Sequence, residues 1–337
     1  MRSADVEVVV VGAGVMGAAT ARALARAGRD TLLVEQFEPG HERGSSHGSS
    51  RIVRLSYPAV EWVRLAQESY PLWRELEAES GTSLLELHGT LDLGDWQPNR
   101  DALTACGVDS EVLDAAEVER RFGIQLEAGE RGLYQAEGGI AYADRALEAF
   151  LGGAIALGAE VRVQSRVETI EADADGVDVG PVRARAAVVT AGAWAPSLVE
   201  LEATPTRETA SYFSVSAPIP SVIDTAGGAD HGYALVAPAV GLKAGLHQSG
   251  PVADPDEEGS TDPDIVERTE AWVRRRFPGA TLVRSETCLY TRRHGDEFLL
   301  ERRGRVVVGS PCSGHGFKFA PLIGSRLAAL AREALAG

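Results

Sequence analysis

Residues 6–35, VEVVVVGAGVMGAATARALARAGRDTLLVE, limit most strongly what this chain can fold into. The β-branched run at 6–11 predicts a parallel strand buried on both faces. An alanine-rich helix follows, ended by Gly28, and then a second strand at 31–35 closed by Glu35. Gly12 permits a tight turn. Gly14 lets backbone approach a pyrophosphate at the helix N-terminus, and Gly17 lets helix and strand pack closely. Glu35 is placed to reach ribose hydroxyls and disfavours a 2′-phosphate there. With strand, turn, helix, second strand and acid in register, the segment is a dinucleotide fingerprint and not an isolated glycine-rich turn.

The chain of 337 residues has room for two domains, or one large domain with an insertion. A net charge of −16 argues against a nucleic-acid partner and reads as solubility. Three irregularly spaced cysteines make neither a disulfide framework nor a metal site, and a reducing cytoplasm is the natural setting. The N-terminus lacks the parts of a signal peptide, and no apolar run reaches the length of a membrane span.

Beyond the fingerprint, GSSHGSSRIVR at 44–54 is a polar loop with two arginines three apart. A helix is expected over roughly 59–80, with Trp62, Leu65, Ala66, Tyr70, Trp73 and Leu76 on one face. Residues 82–140 read as short strands and a polar helix near 115–122; 143–179 as a helix, a strand and a hairpin; 185–194 as a buried strand ending in small residues. A second block of strands, with a helix at 264–277, fills 206–290, and the acidic loop VADPDEEGSTDPD before that helix reads as solvated and mobile. The strand GRVVVGSP, a glycine-rich turn and an amphipathic helix close the chain.

Four motifs narrow the reading: GSSHGSSRIVR, GLKAGLH at 241–247, CLYT at 288–291 and SGHGFKF at 313–319. With them the chain resembles the monomeric sarcosine oxidase and N-methyltryptophan oxidase group of flavin amine oxidases, within the D-amino-acid-oxidase-like superfamily. The resemblance implies an α/β (α+β) two-domain fold. A Rossmann-like FAD-binding domain would take residues 1–80, 141–205 and 288–337, and a sheet-based substrate domain 81–140 and 206–287. It also implies that FAD contacts Gly12, Gly14, Val15, Met16, Gly17, Glu35, Gln36, Ser49, Ser50, Arg51, Val167, Gly192, Gly314, His315, Gly316, Phe317 and Lys318. In the family the cysteine of the CLYT-like motif, here Cys288, carries the flavin through a thioether to its 8-methyl carbon. Cys312 is the competing thiol, and Cys106 reads as a packed small hydrophobe.

Of the 33 lysines and arginines only Lys243 and Lys318 are lysine. Lys318 matches the family lysine that binds the substrate carboxylate together with Arg54. A guanidinium gives direction, and a compact ammonium fits beside it without a second planar group. The SGHG turn would aim backbone N–H groups at the flavin's pyrimidine end. Lys243 matches the lysine on the other side of the flavin, where oxygen is activated. A fixed cation there lowers the barrier to forming superoxide. Arg51 corresponds to the arginine near the flavin ring, and Tyr233 and His247 to residues that shape the substrate pocket.

The expected activity is oxidation of a secondary amine or N-methyl amino acid, sarcosine first, with oxygen reduced to hydrogen peroxide. The alternatives are oxidation of a cyclic imino acid such as proline or pipecolate, a flavin dehydrogenase with a non-oxygen acceptor, and a non-catalytic FAD module. Lys243 speaks against the dehydrogenase, and the carboxylate clamp against the bare module. A monomer is expected. The chain is shorter than the family in the substrate region, and HGYALVAPAV before Lys243 departs from the family pattern, so the substrate is the least transferable feature.

Overall fold

The computed structural model describes residues 5–38, 40–215, 219–228 and 230–336. The N-terminal run forms the strand Val6–Val11 at the centre of an eight-stranded sheet. It pairs in parallel with Thr31–Val34 on one side and Val182–Val189 on the other. Glu160–Arg162 and Val306–Ser310 extend the parallel order outward. Valine repeats because both faces are covered. Val8 and Val10 pack with Leu24 of the helix Val15–Arg26 and Leu327 of the C-terminal helix Ala320–Ala336. Val9 and Val11 face Val34, Val177 and Val189 on the other side. Burying each such side chain contributes on the order of 1.5–3 kcal/mol.

A second eight-stranded sheet runs, in spatial order, Thr281–Arg292, Thr204–Ser214, Gly241–Leu246, Gly232–Ala237, Ser221–Asp224, Thr90–Leu93, Arg131–Gln135 and Glu111–Asp114. Its pairings are antiparallel except that of Ser221–Asp224 with Thr90–Leu93. Strand alternation sorts its residues. Phe213, Leu242 and Ala244 pack under Trp272 and Val273 of the helix Pro263–Arg276. Their neighbours in sequence, Tyr212, Lys243 and Gly245, therefore point to the opposite face.

A three-stranded sheet, Ser50–Val53, Gly139–Tyr142 and Leu85–Leu87, lies between the two. The Ser50 hydroxyl donates to the Val236 carbonyl at 2.7 Å and joins it to the second sheet. The helix Val60–Ser80 buries Val63, Ala66, Ser69, Trp73 and Leu76; Trp62, Leu65 and Tyr70, expected on the same face, are half-buried at its margin.

The acidic loop before the helix Pro263–Arg276 departs from expectation. It is exposed, as its composition dictates, but it is tied down and not free. Asp256 accepts two hydrogen bonds from Arg166, at 2.8 and 2.7 Å, and one from Trp194 Nε1 at 2.8 Å. Its carbonyl accepts from Arg43 at 2.8 Å, while Asp262 caps the helix through the Asp264 and Ile265 amides. A run of carboxylates remains a strap when arginines and an indole N–H meet it.

Candidate cofactor and substrate site

The fingerprint opens onto a cleft lined by Gly12, Gly14, Glu35, Gln36, Val167, Gly192 and Trp194. Gly12 has φ +95°, and a Cβ on Gly17 would stand 1.8 Å from the Gly12 carbonyl, so the turn excludes side chains there. The helix Val15–Arg26 begins at Gly14 with no side-chain cap of its own. Its Val15 amide donates to the Ser46 hydroxyl at 3.0 Å. Glu35 accepts the Ala13 amide at 2.8 Å and the Phe37 amide at 3.0 Å. The carboxylate is thus oriented at the cleft by backbone, with lone pairs remaining for ribose hydroxyls. A helix N-terminus with no side-chain cap of its own, a glycine cradle and an oriented acid fit the adenosine diphosphate half of a dinucleotide.

The free face of the second sheet adjoins the loop at 44–54. On Thr281–Arg292, alternation puts Arg284, Glu286, Cys288 and Tyr290 on this face. Lys243 is 5% exposed, and its Nζ donates to Glu286 Oε1 at 3.0 Å. A Cβ placed on Gly48 would lie 3.5 Å from Arg51 Nη1 and 3.6 Å from both Lys243 Nζ and Glu286 Oε1. The loop motif and the sheet thus bring three charged groups around one glycine. Burial, and then the Arg51 charge, push the Lys243 ammonium below the usual lysine range, against the pull of Glu286. Burial alone would raise the Glu286 carboxyl. Lys243, with hydrogen bonds from Tyr212 and Arg284, holds it at about 2.

Arg51 also orders its own loop, donating to the carbonyls of Ser50, Ser45 and His47 at 2.8, 2.8 and 2.6 Å. Ser49 accepts the Ala143 amide through its carbonyl. Cys288 is reduced and half-buried. Burial raises its thiol, while Lys243 and Arg51 favour the thiolate. Cys312 lies close by, its Sγ 3.4 Å from the Thr291 amide; Cys106 sits remote beside Val60.

Arg54 and Lys318 converge on Tyr57. The Arg54 guanidinium lies 4.4 Å from the ring centroid and Lys318 Nζ 5.7 Å from it. Arg54 is paired with the buried Asp92 at 3.1 Å. Lys318, 8% exposed, has no carboxylate within ion-pair range among the described residues, and its Nζ donates to the His315 carbonyl at 2.7 Å. Burial, then Arg54, pull its ammonium well below the usual lysine range. A buried cation lacking a counter-ion is suited to receive one.

His247 stands near the same place, 5.9 Å from the Tyr290 ring; burial takes it down to about 4, so it is neutral at pH 7. Tyr233 is half-buried beside Gly245, and desolvation raises its hydroxyl well above the usual tyrosine range, so it stays protonated. His315 stacks on Phe298 at 4.9 Å and belongs to an aromatic cluster with Trp62 and Phe319. Within SGHG, the Ser313 and His315 amides are spent on the Thr291 and Cys312 carbonyls, leaving Gly314 and Gly316 as donors. A Cβ on Gly316 would meet the Pro311 carbonyl at 1.7 Å and the Met16 methyl at 3.4 Å, so Met16 and Phe317 adjoin this turn.

Four residues at the site escaped sequence reasoning: Glu286, Asp92, Tyr57 and Ser46. Period-two spacing from Cys288 would have placed Glu286 on the site face. Asp92, a charge inside the apolar strand Thr90–Leu93, carried the signature of a paired buried acid. Tyr57 and Ser46 gave no comparable signal.

A family model described as FAD dependent oxidoreductase matches residues 7–330. The chain is 33% identical to a peroxisomal sarcosine oxidase of Mus musculus over 359 residues, covering 95% of this chain and 90% of that one. It is 30% identical to the monomeric sarcosine oxidase of Bacillus sp. strain B-0618, covering 98% and 93%. Among solved structures it superposes on NikD, an unusual amino acid oxidase essential for nikkomycin biosynthesis, with a TM-score of 0.88 at 28% identity, covering 98% and 95%. No described helix is long and apolar enough to cross a membrane.

Proposed function

Since the chain belongs to the FAD dependent oxidoreductase family, and within it with the sarcosine oxidases, we propose that it oxidises an N-methyl or secondary amino acid, forming an imine and hydrogen peroxide. The observation that carries this reading is the pair Arg54 and Lys318, a half-buried guanidinium and a buried ammonium, of which only the arginine has a carboxylate partner among the described residues. FAD, when bound, would accept a hydride equivalent from the amine and pass its two electrons to oxygen; the proton shed as the iminium becomes the imine, with the one carried by the hydride, completes hydrogen peroxide. The remaining work falls to the side chains.

Arg54 orients one edge of the substrate carboxylate, and Asp92 keeps the guanidinium from swinging away. Lys318 supplies the compact second charge. Neutral His247 and protonated Tyr233 and Tyr290 wall the pocket without competing for the amine proton. Lys243 presents a fixed cation for the reaction with oxygen, and Arg51 adds positive charge beside the flavin ring. Gly12, Gly14, Gly17, Glu35 and Ser46 would hold the dinucleotide half of FAD; Cys288 would bind its 8-methyl carbon through Sγ. Sarcosine is the first substrate proposed. A cyclic imino acid needs the same clamp and differs only in the space around the nitrogen. A cytoplasmic setting and a monomer are proposed with it, the latter on the monomeric relative.

The test is oxygen consumption and peroxide release by the purified yellow protein against a panel of N-methyl and cyclic amino acids. Reduction of the flavin by substrate without peroxide would favour the dehydrogenase. No reduction by any carboxylate-bearing amine would refute the reading.

A further inference from the structure

Lys243 and Glu286 are not on adjacent strands. Lys243 lies on Gly241–Leu246 and Glu286 on Thr281–Arg292, with Thr204–Ser214 between them. Lys243 stands opposite Tyr212, and Glu286 opposite Ala210, two residues along the same face. Ala210 carries only a methyl group, so the two long side chains meet above it at 3.0 Å. The carboxylate is fixed from two further directions. The Tyr212 hydroxyl donates to Oε1 at 2.6 Å, and Arg284 donates to Oε2 at 2.7 Å.

We propose that Glu286 is a positioning residue for the reaction with oxygen: its carboxylate, anchored by Tyr212 and Arg284, keeps the Lys243 ammonium charged and fixed beside Gly48. The assignment rests on the oxygen-side role given to Lys243 above. Removing the carboxylate would leave a 5%-exposed ammonium facing Arg51, His47, Arg284, the Cys288 thiol and the Tyr212 ring, with Asp144 as the acid in its surroundings. In such a place an amine sheds its proton, because burial and like charge both disfavour the cation. A neutral amine gives no field to stabilise the charge developing on oxygen.

The scarcity of lysine supplies the measurement. With ¹³C-labelled lysine the FAD-loaded protein gives two side-chain signals, assigned with Lys243→Met and Lys318→Met, and the Cε shift follows protonation directly. Glu286→Gln keeps the shape and an acceptor for Tyr212. It should lower the Lys243 midpoint by about 1–3 pH units, the effect of one close opposite charge, and leave that of Lys318 in place. The alkaline limit for reoxidation of dithionite-reduced enzyme should fall with it. Glu286→Asp, which retains the charge on a shorter arm, should bring both partway back. An unmoved Lys243 midpoint in Glu286→Gln overturns the proposal, as does a moved midpoint with an unmoved oxygen limit. Rapid reoxidation of Lys243→Met itself would instead remove the oxygen-side role of the lysine, separately from the pairing.

Discussion

The two lysines differ in what surrounds them, and the difference assigns them different work. Lys243 has Glu286, whereas Lys318 has a carbonyl oxygen and a neighbouring cation. Lys318→Met should therefore weaken substrate binding or transition-state binding by roughly 2–5 kcal/mol, the cost of losing a charge pair largely out of water. Reaction of the dithionite-reduced enzyme with oxygen should change little. If stopped-flow traces showed both half-reactions falling alike, Lys318 would be structural. A pH dependence follows from the same surroundings. The folded-state ammonium lies below the ordinary lysine range, so its charge is present at low pH and lost as pH rises through that lowered value. The KM for an amino-acid substrate should accordingly rise at alkaline pH before free lysine titrates, with kcat following less. Lys318→Arg should push this limb upward, because a guanidinium stays charged.

At the scale of elements, the clamp depends on the helix Val60–Ser80. The Lys318 carbonyl accepts hydrogen bonds from Trp73 Nε1 at 2.7 Å and from the Ser69 hydroxyl at 2.9 Å, all buried. The helix thereby sets the height of the short turn Phe317–Phe319. Trp73→Phe removes one donor and some volume, and should cost about 1–3 kcal/mol in chemical denaturation. It should raise KM more than it lowers kcat, since the lysine shifts while the oxygen side is untouched. An unchanged KM in a folded variant would show that the turn stands without the helix. Elements of this kind were legible in the sequence where their signals are local. The β-branched run, the GxGxxG spacing and the helices at 115–122 and 264–277 follow from neighbouring residues, and they appear where expected. What did not follow was contact across strands. Glu286 reaches Lys243 only because Ala210 separates them, and Asp92 meets Arg54 across 38 residues. No periodicity records such pairings. The strap was misread for the same reason: its partners Arg43, Arg166 and Trp194 are all distant in the chain.

For the whole molecule, that strap matters because it joins the two large sheets at the rim of the dinucleotide cleft. It leads from the second sheet into the helix Pro263–Arg276, while Arg166 and Trp194, which grip Asp256, line the cleft. Asp256 is exposed, so its pairing contributes little to global stability, about 0–1 kcal/mol. Its carboxyl is nevertheless held at about 2, first by hydrogen bonds from Arg166 and Trp194. The folded value is depressed, so the small stabilisation is complete above the ordinary aspartate range and fades as pH falls toward about 2. The consequence should be kinetic. Arg166 and Trp194 line the cleft proposed for FAD, so loosening them should quicken exchange even where the melting temperature barely moves. In a Cys288→Ala background, which removes the proposed covalent link, Asp256→Ala should release FAD several-fold faster at neutral pH. The parent should approach the rate of the variant as the pH drops far enough to protonate Asp256. Dilution of loaded protein, followed by the fluorescence of freed flavin, measures both. Equal release rates at neutral pH would mean that the cleft opens elsewhere and that the strap only decorates its rim. The wild-type protein beside the Cys288→Ala background tests the link itself. Acid precipitation should leave the yellow colour in the pellet when Cys288 is present and in the supernatant when it is replaced; colour lost from the wild type would rule out the thioether.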